Sequence, residues 1–291
     1  MSALFDGKVV IVTGAGGGIG RQEALAFAAF GARVVVNDLG GDRIGGGKDS
    51  SPAAKVAKEI VDAGGEAIAN GDSVSAPGGA ESIVWAAQRK YGRVDVLVNN
   101  AGILRDRSLL NMSDGEWNSV IDVHLNGCFL MTRAFGRAYK MQKSTGGAIV
   151  NTTSVSGLRG NFGQGNYGAA KAGIFGLTRV SSMEFEKFGC RVNAIAPVAL
   201  TRMTDDLQRL KERGIEAMGP QHVAPVVTWL ASSLSDEVNG RVFGVEGAHV
   251  FEYAMDISAG LQTPPNAESW TPESLQENLK SFALEKNALN R

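Results

Sequence analysis

The chain has 291 residues, 44% hydrophobic and 20% charged, enough to bury a sizeable core in one large domain or two small ones. A formal net charge of -1 and a pI near 6.3 leave no broad basic surface for nucleic acid and no general attraction to an anionic membrane. No apolar run approaches ~18 residues, so no stable membrane insertion is expected.

The start, MSALFDGKVVIV, carries Asp6 and does not read as a signal peptide. A strand over Val9–Val12 runs into Thr13-Gly14-Ala15-Gly16-Gly17-Gly18-Ile19-Gly20 and a helix over Arg21–Phe30. Glycines between a strand and a helix let backbone approach a pyrophosphate at the helix N-terminus, where free N–H groups favour anions. Gly14, Gly16, Gly18, Ile19 and Gly20 are therefore candidate dinucleotide contacts. The second strand, Val34–Asn37, ends at Asp38, placed to hydrogen-bond both ribose hydroxyls and to repel a 2′-phosphate. That favours NAD over NADP, although Arg43 in the glycine-rich loop 40–52 softens the preference.

A helix over Ala53–Ala63, a strand over Ala67–Asn70 and a helix over Ser82–Tyr91 follow. Asp72 and Ser73 lie after the third strand, and Asn100, Ala101 and Gly102 lie after a fourth over Val94–Asn99. Both places are carboxyl ends of strands, where an open α/β sheet binds its ligand. Next come a helix over Glu116–Lys140, a strand over Ala148–Thr152 and a helix over Tyr167–Phe188. Strands over Val192–Ile195 and Val242–Val245 flank a helix over Gln221–Ser232. Continuous apolar strands alternating with amphipathic helices predict a doubly wound, parallel Rossmann-type α/β sheet over residues 5–260. The tail 261–291 is expected to be a helical extension starting at Thr271-Pro272-Glu273.

Cys128 and Cys190 lie far apart without metal-ligand spacing, so two reduced thiols and no metal site are expected. The final ALNR lacks a peroxisomal Ser-Lys-Leu ending, which makes a cytoplasmic, reducing compartment the expectation.

Tyr167 and Lys171 are i and i+4 and share one helix face. A phenol of pKa ~10 costs ~4 kcal/mol to ionise at pH 7. An ammonium ~4 Å away returns up to ~4 kcal/mol at an effective dielectric near 20, so the pair suits general acid–base work. Ser154, at the end of the fifth strand, is the natural second donor to a substrate oxygen, with Thr152, Thr153 and Ser156 as neighbours of similar type.

TGAGGGIG (13–20), NNAG (99–102), Ser154 and YGAAK (167–171) stand in an order and spacing that resembles the short-chain dehydrogenase/reductase family over about residues 5–250. The resemblance implies seven strands in the order 3-2-1-4-5-6-7. It also implies Tyr167 as proton donor and acceptor, Ser154 as oxyanion partner, and Lys171 on the nicotinamide ribose while lowering the tyrosine pKa. Homodimers or homotetramers through the helices at 116–140 and 167–188 are a further implication.

There are two departures. Val123-His124-Leu125-Asn126-Gly127 puts His124 where the family often has an asparagine, so either His124 serves the proton relay or Asn126 does, with His124 favoured. Pro197-Val198 replaces a common Pro-Gly, with Pro197 expected near the nicotinamide. NDLGGDRIGGGKDSS, NNAGILRDRS, VHLNG, GNFGQGNY and APVALTRMT are similar to the (3R)-hydroxyacyl-CoA dehydrogenases of the family. That implies NAD-linked oxidation of an acyl-CoA thioester with a fatty or steroid side chain. Leu104, Leu158, Phe162, Leu200 and Met203 suit an apolar acyl group, and Arg105, Arg107 and Arg159 are candidates for CoA phosphates. The other readings are a dehydrogenase of free steroids or other secondary alcohols, and a non-catalytic NAD(H)-binding regulator.

Overall fold

The computed structural model describes residues 4–47, 49–201, 208–258, 260–263 and 269–282. It divides into two units, Met1–Glu252 and Tyr253–Arg291. The first is built on β1 (Val9–Thr13), β2 (Arg33–Asn37), β3 (Glu66–Asn70), β4 (Val96–Asn99), β5 (Gly147–Thr152), β6 (Cys190–Val198), β7 (Val242–Glu246) and β8 (His249–Glu252). They form one sheet in the order β3-β2-β1-β4-β5-β6-β7-β8, parallel except for the β7–β8 pair.

The strand sequences explain why both faces are covered. Alternate residues of each apolar run point to opposite sides, so VVIVT buries all five side chains only between two helix layers. On one side Val10, Val12, Val34, Val36 and Val98 meet Phe27 of α1 (Gly18–Ala29), Ile60 of α2 (Ser51–Asp62) and Leu230 of α9 (Ala224–Ala231). On the other, Val9, Ile11, Leu97 and Ile149 meet Ile83 of α3 (Gly79–Tyr91) and Phe135 of α5 (Gly127–Gln142). The sheet's order reverses between β1 and β4, which opens the crevice at their carboxyl ends.

The predicted helix over Glu116–Lys140 is α4 (Asp114–Ile121), a π-helical turn (Asp122–Asn126) and α5. Ser113 starts it with a capping box, accepting from Glu116 N at 3.2 Å while its own N–H donates to Glu116 Oε2 at 2.8 Å. A short α6 (Val155–Arg159) precedes α7 (Gly165–Glu186). The helix predicted over Gln221–Ser232 begins as a 3₁₀ turn, Pro220–His222, because Pro225 has no N–H to continue a longer ladder. Helical residues Gln208–Met218, α8, are broken at Gly214 by a φ of 77°. The eighth strand escapes prediction because its four residues form a short, largely exposed edge without an apolar run.

The second unit carries α10 (Pro272–Phe282), which starts where the Thr-Pro-Glu signal places it. Thr271 and Ser274 cap it reciprocally, each side chain accepting from the other's backbone N–H at 3.2 and 3.0 Å. Met203 and, in the tail, residues 264–268 and 283–291 lie outside the described residues. No helix among the described residues is long and apolar enough to cross a membrane, and none of their His, Cys, Asp and Glu side chains form a group able to hold a metal.

Candidate active site

The turn from β1 to α1 is packed against its own neighbours. A Cβ on Gly14 would lie 2.8 Å from Ala101 Cα, one on Gly16 2.8 Å from Asp38 Oδ2, and one on Gly20 2.4 Å from the Gly14 carbonyl. Gly17, by contrast, faces open space. No side chain caps the start of α1, so its first N–H groups are free to meet an anion. Beside the turn runs a cleft of about 440 Å³, lined among others by Gly14, Gly16, Gly18, Ile19, Asp38, Asp72, Ser73, Asn100, Ala101 and Gly102. Bare backbone at one place and a carboxylate at the next fit the diphosphate and ribose of a dinucleotide.

Asp38 is fixed by two backbone donors, Gly16 N to Oδ2 and Gly40 N to Oδ1, each at 2.7 Å. Each oxygen keeps a second lone pair for a ribose hydroxyl. Asn100 ties β4 to the turn, donating from Nδ2 to Thr13 O at 3.0 Å and Gly14 O at 3.1 Å. Asn99 ties β4 to β5 deeper down, donating to Asn151 Oδ1 at 2.9 Å. The two asparagines thus align three strand ends around the crevice.

Ser154, Tyr167, Lys171 and His124 come together from β5, α7 and the π turn. Ser154 N-caps α6, its Oγ accepting from Ser156 N at 3.2 Å, and its hydroxyl pulls the Tyr167 phenol pKa downward. Two of the neighbouring hydroxyls have other uses. Thr153 Oγ1 donates to Lys171 O at 2.6 Å, and Ser156 Oγ donates to Gln164 Oε1 at 2.8 Å. Thr152 Oγ1 is buried without a partner. Of the four hydroxyls, Ser154 is the one that bears on the Tyr167 phenol.

The Lys171 ammonium donates to Thr152 O at 2.6 Å and lies 5.5 Å from the Tyr167 ring centre. Burial lowers its pKa to about 8. The lysine was expected to hold the phenol pKa down, yet the phenol is pushed up to about 12. Protein crowding around its hydroxyl outweighs the downward pull of Ser154, and Asp106 adds a smaller upward push.

His124 is 2% exposed and packs edge-on against Tyr167, ring centres 5.1 Å apart at 86°. Its Nε2 lies 2.8 Å from Ile103 O and 3.1 Å from Ile103 N, so each neutral tautomer makes one of the two bonds. Nδ1 is buried with no partner in either case. Burial and then the Lys171 charge lower the imidazole pKa to about 3, so the ring is neutral at pH 7. Asn126 is exposed and donates to Asp122 Oδ1 at 2.7 Å, away from this group.

Pro197 sits half-buried near the end of β6, outside the residues that line the cleft. Thr201, Pro52 and Val123 line it without having been singled out in sequence, although each lies within a stretch that was, because residue type alone does not mark which of its side chains face a ligand. Leu104 is buried, Leu158 and Leu200 are half-buried, and Phe162 is 94% exposed. Arg107 pairs with Glu116 at 3.5 Å, and Arg105 donates from Nε to Ile44 O at 2.7 Å.

The chain is similar to known proteins over most of its length. The short chain dehydrogenase family profile matches residues 8–212. The peroxisomal multifunctional enzyme type 2 of Mus musculus is 46% identical over 98% of this chain and 38% of its own length. The hydroxyacyl-CoA dehydrogenase ChsB1 of Mycobacterium tuberculosis is 40% identical over 96% of this chain and 89% of its own. A short chain dehydrogenase from Mycobacterium avium, 45% identical, superposes with a TM-score of 0.83 over 96% of this chain and 95% of that one. The chain thus spans well under half the length of the mouse relative. Members of this family depend on a nicotinamide nucleotide, which suits the glycine cradle and carboxylate described above. With the family profile over most of its length and close relatives end to end, the chain belongs to the short-chain dehydrogenase/reductase family and is an oxidoreductase acting on a CH–OH group.

Proposed function

We propose that the protein oxidises a (3R)-3-hydroxyacyl-CoA to the 3-oxoacyl-CoA with NAD. The observation that carries this reading is the packing of the Lys171 ammonium and the His124 ring around Tyr167, 5.5 and 5.1 Å from its ring centre, together with a glycine-lined cleft that Asp38 also lines. A nicotinamide dinucleotide bound in the cleft supplies the hydride acceptor. Gly14, Gly16, Gly18, Ile19 and Gly20 cradle its diphosphate, Asp38 takes the adenosine ribose, and Asp72, Ser73, Asn100, Ala101 and Gly102 line the remainder of its path.

Tyr167, once its own proton has left through a relay, takes the substrate hydroxyl proton as the hydrogen on carbon leaves as hydride to the nicotinamide, while Ser154 holds the oxygen and Lys171 supports the phenolate. His124, neutral, fixes the Ile103 backbone beside them and offers Nδ1 to a relay. The thioester substrate class draws its support from the hydroxyacyl-CoA dehydrogenase at 40% identity.

The test is steady-state turnover of 3-hydroxyacyl-CoAs of both stereochemistries, fatty and steroid-derived, with NAD and with NADP. Preference for a (3R) thioester with NAD is expected; equal efficiency on the matching free alcohols sinks the CoA reading, and equal use of NADP sinks the Asp38 reading. We also propose a homodimer or homotetramer joined through α5 and α7, supported by Phe129, Met141, Val180 and Met183, exposed on those helices at 44%, 82%, 53% and 69%. Sedimentation as a monomer at micromolar concentration refutes it. The buried free thiols Cys128 and Cys190 suit a reducing compartment such as the cytosol; the mouse relative is named as peroxisomal, and localisation of a tagged protein decides between the two.

A further inference from the structure

The glycine-rich loop after β2 has no part in the chemistry above, yet it is tightly organised. Asp42 closes it on itself: Asp42 N donates to Gly46 O at 2.8 Å, and Asp42 Oδ1 accepts from Ile44 N at 3.0 Å and Gly46 N at 2.8 Å. This fold turns two carbonyls toward the segment that follows β4. Arg43 O accepts from Leu104 N at 3.0 Å, and Ile44 O accepts from Arg105 Nε at 2.7 Å. Gly45, at a φ of +86°, packs so closely that a Cβ there would lie 3.0 Å from Ile103 Cδ1.

Both sides of this join line the same cleft, Gly40 to Arg43 and Gly45 on one side, Gly102 and Ile103 on the other. The 103–107 side is anchored independently of the loop. His124 holds Ile103, Asn166 Nδ2 donates to Arg105 O at 2.9 Å, and Arg107 N donates to Gly163 O at 2.8 Å. The loop side is held across the cleft by the two bonds named and by apolar contact.

We propose that Gly40–Gly47 is a strap across the dinucleotide cleft, latched by Arg105, and that unlatching it sets the rate at which coenzyme leaves. The inference rests on the reading that the cleft takes a nicotinamide dinucleotide. It makes Arg105 a positioning residue that acts through the loop backbone, a different use from the CoA-phosphate contact considered for it in sequence.

The test is stopped-flow fluorescence of NADH release from the full chain. Arg105→Ala is expected to release NADH about ten-fold faster, equal to about 1.4 kcal/mol, the scale of one net hydrogen bond. Arg105→Lys, which keeps a cationic donor, is expected to recover most of that loss. Gly45→Val, which forces the strap off Ile103 from the other side, is expected to accelerate release as well and stands in if Arg105→Ala does not fold. Release within two-fold of the parent in both Arg105→Ala and Gly45→Val overturns the strap. Arg105→Lys as fast as Arg105→Ala also overturns it, since packing rather than the latch would then be responsible. A parent protein that binds no NADH at all overturns the dinucleotide reading itself, an outcome distinct from NADH bound and released at unchanged rates.

Discussion

Tyr167 illustrates how much a single side chain's chemistry depends on its surroundings. At a pKa of about 12, its phenolate costs roughly 7 kcal/mol to form at pH 7. An ammonium brought to ~4 Å returns up to about 4 kcal/mol, and Lys171 is instead bonded to Thr152 O. The i, i+4 spacing was legible in sequence because it is a local property of a helix. The direction of the phenol's pKa was not, because it is set by packing around the hydroxyl. Ser154 was legible as well, from its place at the end of the fifth strand, whereas the partners that occupy Thr153 and Ser156 were not, because they are set by packing. Tyr167→Phe removes the proposed base without altering the cleft, so turnover is expected to fall at least 100-fold while NADH affinity, measured by fluorescence titration, changes little. A variant retaining most of its turnover would remove Tyr167 from the reaction.

At the level of elements, the π turn between α4 and α5 matters most. One extra residue in the turn accompanies a helix that presents His124 inward to Ile103 and Tyr167 and leaves Asn126 facing solvent. Periodicity alone predicts one uninterrupted helix there, because a single π turn leaves the apolar pattern almost unchanged. The ring lies so close to β4's loop that a Cβ on Gly102 would come within 2.3 Å of His124 Cε1. His124→Ala strips the buried Ile103 backbone of its partner, a loss of about 1–3 kcal/mol, so kcat is expected to fall roughly 10- to 100-fold. His124→Asn, which restores an amide donor and acceptor, is expected to recover part of it. Asn126→Ala is expected to stay near the parent value. Steady-state kinetics of the three variants provide the ranking, and a larger loss in Asn126→Ala would transfer the relay to that residue.

Across the whole molecule, stability carries a pH signature from Glu23 of α1, which is fully buried with neither carboxylate oxygen hydrogen-bonded. Burial raises its pKa from 4.5 to about 8. Between those values the folded chain keeps a proton that the unfolded chain releases. The group's contribution is therefore intact below pH 4.5 and is lost as pH rises toward 8, at about 1 kcal/mol per pH unit. Lys171, lowered to about 8, acts in the opposite direction but only above that pH. Urea midpoints at pH 6 and 8 are expected to drop more steeply for the parent than for Glu23→Gln; parallel slopes would show that Glu23 does not titrate there. By itself the sequence determined the seven parallel strands, the glycine turn with Asp38, and the Tyr–Lys pair, all written in local periodicity and short-range spacing. Tertiary structure alone decided the eighth strand, the inward turn of His124 rather than Asn126, and the capture of Arg105 by a loop carbonyl 61 positions away. Each of those outcomes depends on which distant groups are left with an unmet hydrogen bond once the core has packed, and short-range spacing carries no record of that.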